Sequence, residues 1–188
     1  VENLRLLASL AANGTGNGLA NLFYAGAGNN VLNGAGGADT VTYASATAAV
    51  SVSLAVAGAQ ATGGSGSDTL ISIESLTGSP YDDTLSGNAG ANTLSGGAGA
   101  DLLSGGDGSD TYYVEHVGDQ VSETNADLAS GGSDLVVSSL AAYTLTNHVE
   151  NLRLLASGPA SGSGNGLANV LYAGAGDNLL DGAGGVDT

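Results

Sequence analysis

The stretch GNAGANTLSGGAGADLLSGGDGSDTYYV, residues 87–114, repeats its own pattern every nine residues. The pattern restarts at Gly87, Gly96 and Gly105, with two glycine-like positions, a spacer, a glycine, a spacer, and then Asp or Asn. One large apolar residue follows two positions after the Asp or Asn. A short period of this kind predicts a stack of small, similar structural units.

The nine-residue period extends beyond this stretch in three runs. Its sixth position falls on Asp83, Asn92, Asp101, Asp110 and Asp119, then on Asn21, Asn30 and Asp39, and again on Asn169, Asn178 and Asp187. The large residue two positions later is Leu85, Leu94, Leu103, Tyr112, Val121, Phe23, Leu32, Val41, Leu171 or Leu180. Between the runs the period loosens, and residues 43–62 and 122–148 contain strand-like segments such as VSVSLAVA.

The period predicts an all-β solenoid. Glycine pairs mark turns, and an apolar-centred run of three residues between two turns is long enough only for a short strand. Two such half-coils make a coil of about 18 residues, in which each strand pairs in parallel with the next and lies about 4.8 Å from it. The large residues then face a narrow core. Helix is not expected, because glycine interrupts almost every window.

Stacking places the sixth-position side chains in two columns, one on each edge of the solenoid. Stacked carboxylates repel one another and require cations, whereas stacked Asn side chains are expected to form amide ladders. Complete GGxGxD hexapeptides occupy residues 63–68, 96–101 and 105–110, and near matches occupy 34–39 and 182–187. The sequence therefore predicts metal ligands at Asp68, Asp83, Asp101, Asp110 and Asp119, and also at Asp39 and Asp187.

Composition limits the partners of the chain. Acidic residues outnumber basic ones by 18 to 2, which argues against nucleic acid or an anionic membrane as a partner and favours cations. Calcium prefers carboxylate and carbonyl oxygens. No apolar run reaches the roughly 18 residues of a transmembrane segment. The chain contains no cysteine, which excludes disulfides and thiolate sites.

A much longer repeat contains the short one. Residues 1–40 recur as 149–188, with 30 identities in 40 positions. Residues 1–188 are therefore expected to form one continuous solenoid, in which 1–148 is a complete long unit and 149–188 begins the next. This organisation is typical of a window from a tandem array.

The segment GGAGADLLSGGDGSDTYYV resembles the nonapeptide repeat of RTX proteins, the glycine- and aspartate-rich calcium-binding β-roll. The resemblance implies a right-handed parallel β-roll, type I secretion and folding on calcium outside the cell. It also implies that calcium lies between adjacent turns, bound by the Asp carboxylates and by glycine carbonyls. Those glycines are Gly63, Gly64, Gly66, Gly96, Gly97, Gly99, Gly105, Gly106 and Gly108.

Two functions fit these observations. The first is a structural calcium-binding segment of a giant bacterial adhesin, surface-layer or filament protein at the cell surface or outside the cell. Its partners would be calcium and neighbouring repeat units, with self-assembly into filaments or layers as a further option. The alternative is the non-catalytic RTX module of a secreted protease, lipase or epimerase. No catalytic or organic-cofactor residues are expected, since GxSxG, GxGxxG and Walker patterns are absent from the sequence.

Overall fold

A computed structural model describes residues 3–6, 11–125 and 131–188 as a stack of short strands. The strands are β1 (Asn3–Arg5), β2 (Ala12–Thr15), β3 (Leu22–Tyr24), β4 (Asn30–Asn33), β5 (Thr40–Thr42), β6 (Ser51–Ser53), β7 (Gln60–Gly63), β8 (Gly66–Ile71), β9 (Ser75–Thr77), β10 (Thr84–Ser86), β11 (Thr93–Ser95), β12 (Leu102–Ser104), β13 (Thr111–Val114), β14 (Gln120–Val121), β15 (Leu135–Ser138), β16 (Ala142–Thr144), β17 (Asn151–Leu154), β18 (Ala160–Ser163), β19 (Val170–Tyr172) and β20 (Asn178–Asp181). The described residues include no helix, and hence none that could cross a membrane.

One face of the solenoid is a continuous nine-stranded sheet in the order β1-β3-β5-β9-β11-β13-β15-β17-β19. The opposite face consists of three smaller sheets, β2-β4-β8-β7, β6-β10-β12-β14 and β16-β18-β20. In the regular part, each strand pairs with the strand two nonapeptides further on, so Leu85 pairs with Leu103 and Leu94 pairs with Tyr112. The prediction of a β-solenoid with parallel coils, each made of two nonapeptides, is therefore confirmed.

The large residue of each nonapeptide forms the core. Leu32, Val41, Leu85, Leu94, Leu103 and Tyr112 have no exposed surface. Full burial of a side chain of this size contributes roughly 1.5–3 kcal/mol. Leu180, in the second copy, is 38% exposed and is an exception.

Two segments depart from the regular coil. Within residues 43–62 only β6 is a parallel strand, while β7 pairs antiparallel with β8 as a hairpin whose tip is Gly64 and Ser65. The hexapeptide of residues 63–68 therefore forms a hairpin rather than a coil corner. Further on, Thr111 pairs with Leu135, so this coil is longer than the regular ones.

Candidate calcium-binding turns

The sixth-position side chains lie in two columns, connected from coil to coil by hydrogen bonds. In each step the backbone N–H of one column member donates to the side-chain oxygen of the member one coil further on, at 2.7 to 3.2 Å. The steps are Asn21 to Asp39, Asp39 to Glu74, Asn92 to Asp110, Asp110 to Asp134, Asp134 to Glu150 and Asn169 to Asp187 in the first column, and Asn30 to Asp68, Asp83 to Asp101 and Asp101 to Asp119 in the second.

Among the described residues the Asn side chains of the columns form no amide ladder, so that prediction was wrong. In each of the steps that involve an Asn, it stacks on an Asp rather than on another Asn. The amide groups of Asn30, Asn92 and Asn169 instead donate to backbone carbonyls of the preceding coil, such as those of Ala12 and Glu74.

The nine-residue pattern of the sequence does not identify three acidic members of the columns. Glu74, Asp134 and Glu150 follow irregular segments, in which the nine-residue count is lost. Each of them still lies two residues before a buried core residue, which is the spacing that the regular repeats use. More than half of the 18 acidic residues of the chain stand in the two columns.

The first glycine of the pattern lies in close contact with the sixth side chain, although Ala25 and Val114 occupy this position in two of the turns. The sixth side chain folds back onto the glycine, so a Cβ at Gly96 would overlap Oδ2 of Asp101, and one at Gly105 would overlap Oδ2 of Asp110. The same overlap with the sixth side chain occurs at Gly87, where that side chain is Asn92. This glycine is therefore common to Asp and Asn repeats and does not distinguish them.

The backbone divides most of the turns into two kinds, and the turn of residues 173–178 belongs to neither, since Gly176 alone has positive φ there and the Asn178 amide donates to the carbonyl of Gly174. In the first kind, which we call capped turns, the N–H of the second residue donates to the sixth side chain of the same turn. Four of them also contain an Asn or Ser at position two whose side-chain oxygen accepts from the N–H two residues on. The capped turns are 16–21, 25–30, 78–83, 87–92, 114–119 and 164–169.

The second kind, the positive-φ turns, comprises residues 34–39, 96–101, 105–110 and 182–187. Their second and fourth residues have positive φ, as Gly97 does at 94° and Gly99 at 123°. Alanine takes this conformation at position two in the near matches, with φ of 71° at Ala35 and 65° at Ala183.

The positive-φ turns leave buried carboxylate oxygens without a partner. Oδ2 of Asp39, Asp101 and Asp110 has no hydrogen-bond partner, whereas the Asp68 carboxylate beyond the hairpin interacts with the hydroxyl of Tyr43. Burial raises the pKa of Asp68, Asp101 and Asp110 to about 6. Since a buried carboxylate without a partner is costly, these residues have the donor set and the unmet charge that calcium satisfies.

The predicted metal-site residues therefore fall into three groups, which lie in positive-φ turns, in capped turns and in the hairpin. Asp39, Asp101, Asp110 and Asp187 lie in positive-φ turns, together with Gly96, Gly97, Gly99, Gly105, Gly106 and Gly108. Asp83 and Asp119 lie in capped turns, where both of their oxygens already accept hydrogen bonds. Asp68, Gly63, Gly64 and Gly66 belong to the hairpin and its second strand, β8.

A comparison with known families agrees with this geometry. The profile of the RTX calcium-binding nonapeptide repeat matches in four copies, over residues 15–45, 77–112 and 163–188. The chain belongs to this family. The RTX repeats bind calcium, and the matched residues include all four positive-φ turns and five of the six capped turns. No curated protein matches the chain.

Proposed function

We propose that the RTX repeats bind calcium selectively at the positive-φ turns. Their unpartnered Asp oxygens, and the backbone carbonyls of their glycines, would hold the ion between successive coils. The capped turns satisfy their own sixth side chain and would act as spacers. The observation that supports this assignment is the burial of Oδ2 of Asp39, Asp101 and Asp110 without a partner.

We further propose that the chain is a calcium-stiffened structural segment of a large extracellular bacterial protein, such as an adhesin, surface-layer or filament protein. The observation that carries this proposal is the second copy of the long repeat, which continues the solenoid of the first. β17 and β19 of the second copy occupy the same nine-stranded sheet as β1 and β3. Arg153 pairs with Tyr172 in the register in which Arg5 pairs with Tyr24.

Calcium would then control folding after secretion. An ion that binds only the folded chain stabilises it by RT ln(1 + [Ca]/Kd), about 1 kcal/mol per site at millimolar calcium and extracellular affinities. Several sites together are comparable with the whole stability of a small domain. In low calcium the buried carboxylates of both columns would oppose folding. Type I secretion, which exports unfolded chains, suits this behaviour.

Small-angle X-ray scattering on chains with one, two and three 148-residue units tests the proposal. The continuous sheet gains seven strands per unit, so the maximum dimension should grow by roughly 34 Å per unit in millimolar calcium. In chelator, the radius of gyration of the 188-residue chain should rise from roughly 16 Å toward roughly 46 Å. Equal compactness in chelator would contradict the folding switch, whereas units that pack side by side would contradict the rod.

The alternative, a non-catalytic module of a secreted enzyme, is less well supported. A module that accompanies one catalytic domain has no need of a second 148-residue unit in register with the first. The tandem repeat therefore favours a structural array.

A further inference from the structure

The connection of residues 122–134 brings Glu123 to a glycine position. It replaces one regular turn and makes its coil longer than the regular ones, since Thr111 pairs with Leu135. Glu123 lies one regular coil after Gly105, the first glycine of the preceding turn in the same column. Asp134 then takes the sixth position, since its Oδ1 accepts from the N–H of Asp110 at 2.8 Å.

Asp110, Glu123 and Asp134 form a compact carboxylate cluster. One side-chain oxygen from each lies within 4.8 Å of those from the other two. All three residues are buried, with Glu123 8% exposed and the two aspartates 1%. The carboxylate of Glu123 is held inward, because its Oε1 accepts from the hydroxyl of Tyr112 and from the N–H of Gly105 at 3.3 Å.

An unpartnered oxygen points to a ligand at this cluster. Oδ2 of Asp110 has no hydrogen-bond partner. It lies beside the hydroxyl of Tyr112 that bonds to Glu123, since a Cβ at Gly105 would overlap both atoms. The chain contains no lysine and only two arginines, Arg5 and Arg153. Burial and the neighbouring carboxylates raise the pKa of Glu123 and Asp134 to about 7, so the cluster is short of positive charge.

We propose that Asp110, Glu123 and Asp134 bind one calcium ion through their side chains, at the point where the nonapeptide pattern stops. Calcium–oxygen distances of 2.3–2.6 Å place oxygens on opposite sides of one ion about 5 Å apart, which agrees with the spacing of the cluster. The site differs from an RTX turn because Glu123 supplies a carboxylate where the repeat supplies only glycine backbone. It would fasten both ends of the long connection to the preceding coil. It rests on the proposed function only in sharing Asp110 with a turn site.

Counting bound calcium by equilibrium dialysis tests this site on the full chain. Glu123→Gln keeps an oxygen acceptor for Tyr112 and Gly105 but removes the charge, and it should bind one ion fewer per chain. The matched control is Glu115→Gln, at an exposed glutamate whose carboxylate accepts only from Ser95 Oγ at 3.1 Å, and it should bind as many ions as the parent. An unchanged count in Glu123→Gln would overturn the site. A parent that binds no calcium would overturn the turn sites as well.

Terbium luminescence tests for an ion beside Asp110 and Tyr112 if Glu123→Gln does not fold. A terbium ion in the cluster would lie next to Tyr112, whose excitation it can accept. Tyr112→Phe should therefore lose a large part of the tyrosine-sensitised emission, whereas Tyr113→Phe, which changes the outward-facing neighbour, should lose little. Equal losses in the two variants would contradict an ion at the cluster.

Discussion

The turns of residues 87–92 and 105–110 are stacked on each other but treat the sixth side chain differently. The strands that follow them pair in register, with Leu94 beside Tyr112. In the first turn the backbone N–H of Asn88 donates to Oδ1 of Asn92, with 2.7 Å between the nitrogen and the oxygen. In the second, Gly106 and Gly108 have positive φ and Oδ2 of Asp110 lacks a partner. The two turns therefore differ both in backbone conformation and in whether the sixth side chain is hydrogen-bonded within its own turn.

This difference changes the meaning of an aspartate in phase with the repeat. Asp83 has the expected position, but Ser79 occupies position two and donates to it through both its N–H and its hydroxyl. Asp119 similarly accepts from the N–H groups of Glu115 and His116. A carboxylate at position six is thus necessary for the proposed turn site but is not sufficient.

The largest expected effect comes from neutralising aspartates of the two kinds of turn in matched pairs. Asp39→Asn with Asp101→Asn should bind fewer calcium ions and require several-fold more calcium to fold, because each lost site removes on the order of 1 kcal/mol. Asp83→Asn with Asp119→Asn should keep the parent count, although it also requires more calcium to fold, because an Asn amide group replaces one accepting oxygen at each position. Equilibrium dialysis and a calcium titration followed by circular dichroism measure both quantities.

Equal losses of bound calcium in the two pairs would show that turn geometry does not select the ion. Both pairs carry the same change of charge, so general repulsion among carboxylates cannot produce a difference between them. Asp101→Asn and Asp119→Asn also retain Oδ1, which accepts from the preceding coil.

The fold was largely predictable because its period is local. Two nonapeptide half-coils fix the register between coils, and the register fixes which side chains face the core, as Leu85, Leu94 and Leu103 show. The hairpin at residues 63–68 was not predictable from its hexapeptide, which matches the other two in sequence. Its positive φ values fall on its first and fourth positions, Gly63 and Gly66, because β7 reverses direction there.

The columns were predictable in part, and the selection between turns was not predicted. Glu74 and Asp134 were missed because insertions break the nine-residue count, and Glu150 because the coil before it is two residues shorter than the regular ones. The spacing to the core residue is kept in all three. In four of the six capped turns a signal was present at position two, where Asn or Ser replaces glycine, but Gly26 and Glu115 occupy that position in the other two. The nine-residue spacing does not depend on which residue occupies position two, so the spacing alone does not reveal this signal.

The second-largest expected effect is that acidic pH stabilises the calcium-free chain. The pKa values of Asp68, Asp101 and Asp110 are raised to about 6, and those of Glu123 and Asp134 to about 7, by burial above all. A carboxyl group whose pKa is higher when folded binds protons more strongly in the folded chain. Its stabilisation is complete below the unfolded pKa near 4 and is lost as the pH rises through 6 to 7.

In chelator, the folded fraction should therefore be higher at about pH 5 than at about pH 7.5, as circular dichroism can measure. In calcium the dependence should reverse, because protons compete with the ion for the same oxygens. A chelated chain that becomes less stable on acidification would show that these carboxyl groups are not buried in the folded state.

The smallest effect tests the backbone of the positive-φ turns without touching a carboxylate. Ala35 has φ of 71°, which costs an alanine about 1–2 kcal/mol, and glycine relieves this at the expense of about 0.4–1 kcal/mol of chain entropy. Ala35→Gly should thus raise stability in saturating calcium by a few tenths to about 1 kcal/mol in denaturant titrations. Ala89→Gly, at an exposed position of a capped turn, should lower it by about 0.5 kcal/mol. Destabilisation of both variants to the same extent would mean that position two of the Asp39 turn does not take positive φ in solution, and the distinction between the two kinds of turn would fail there.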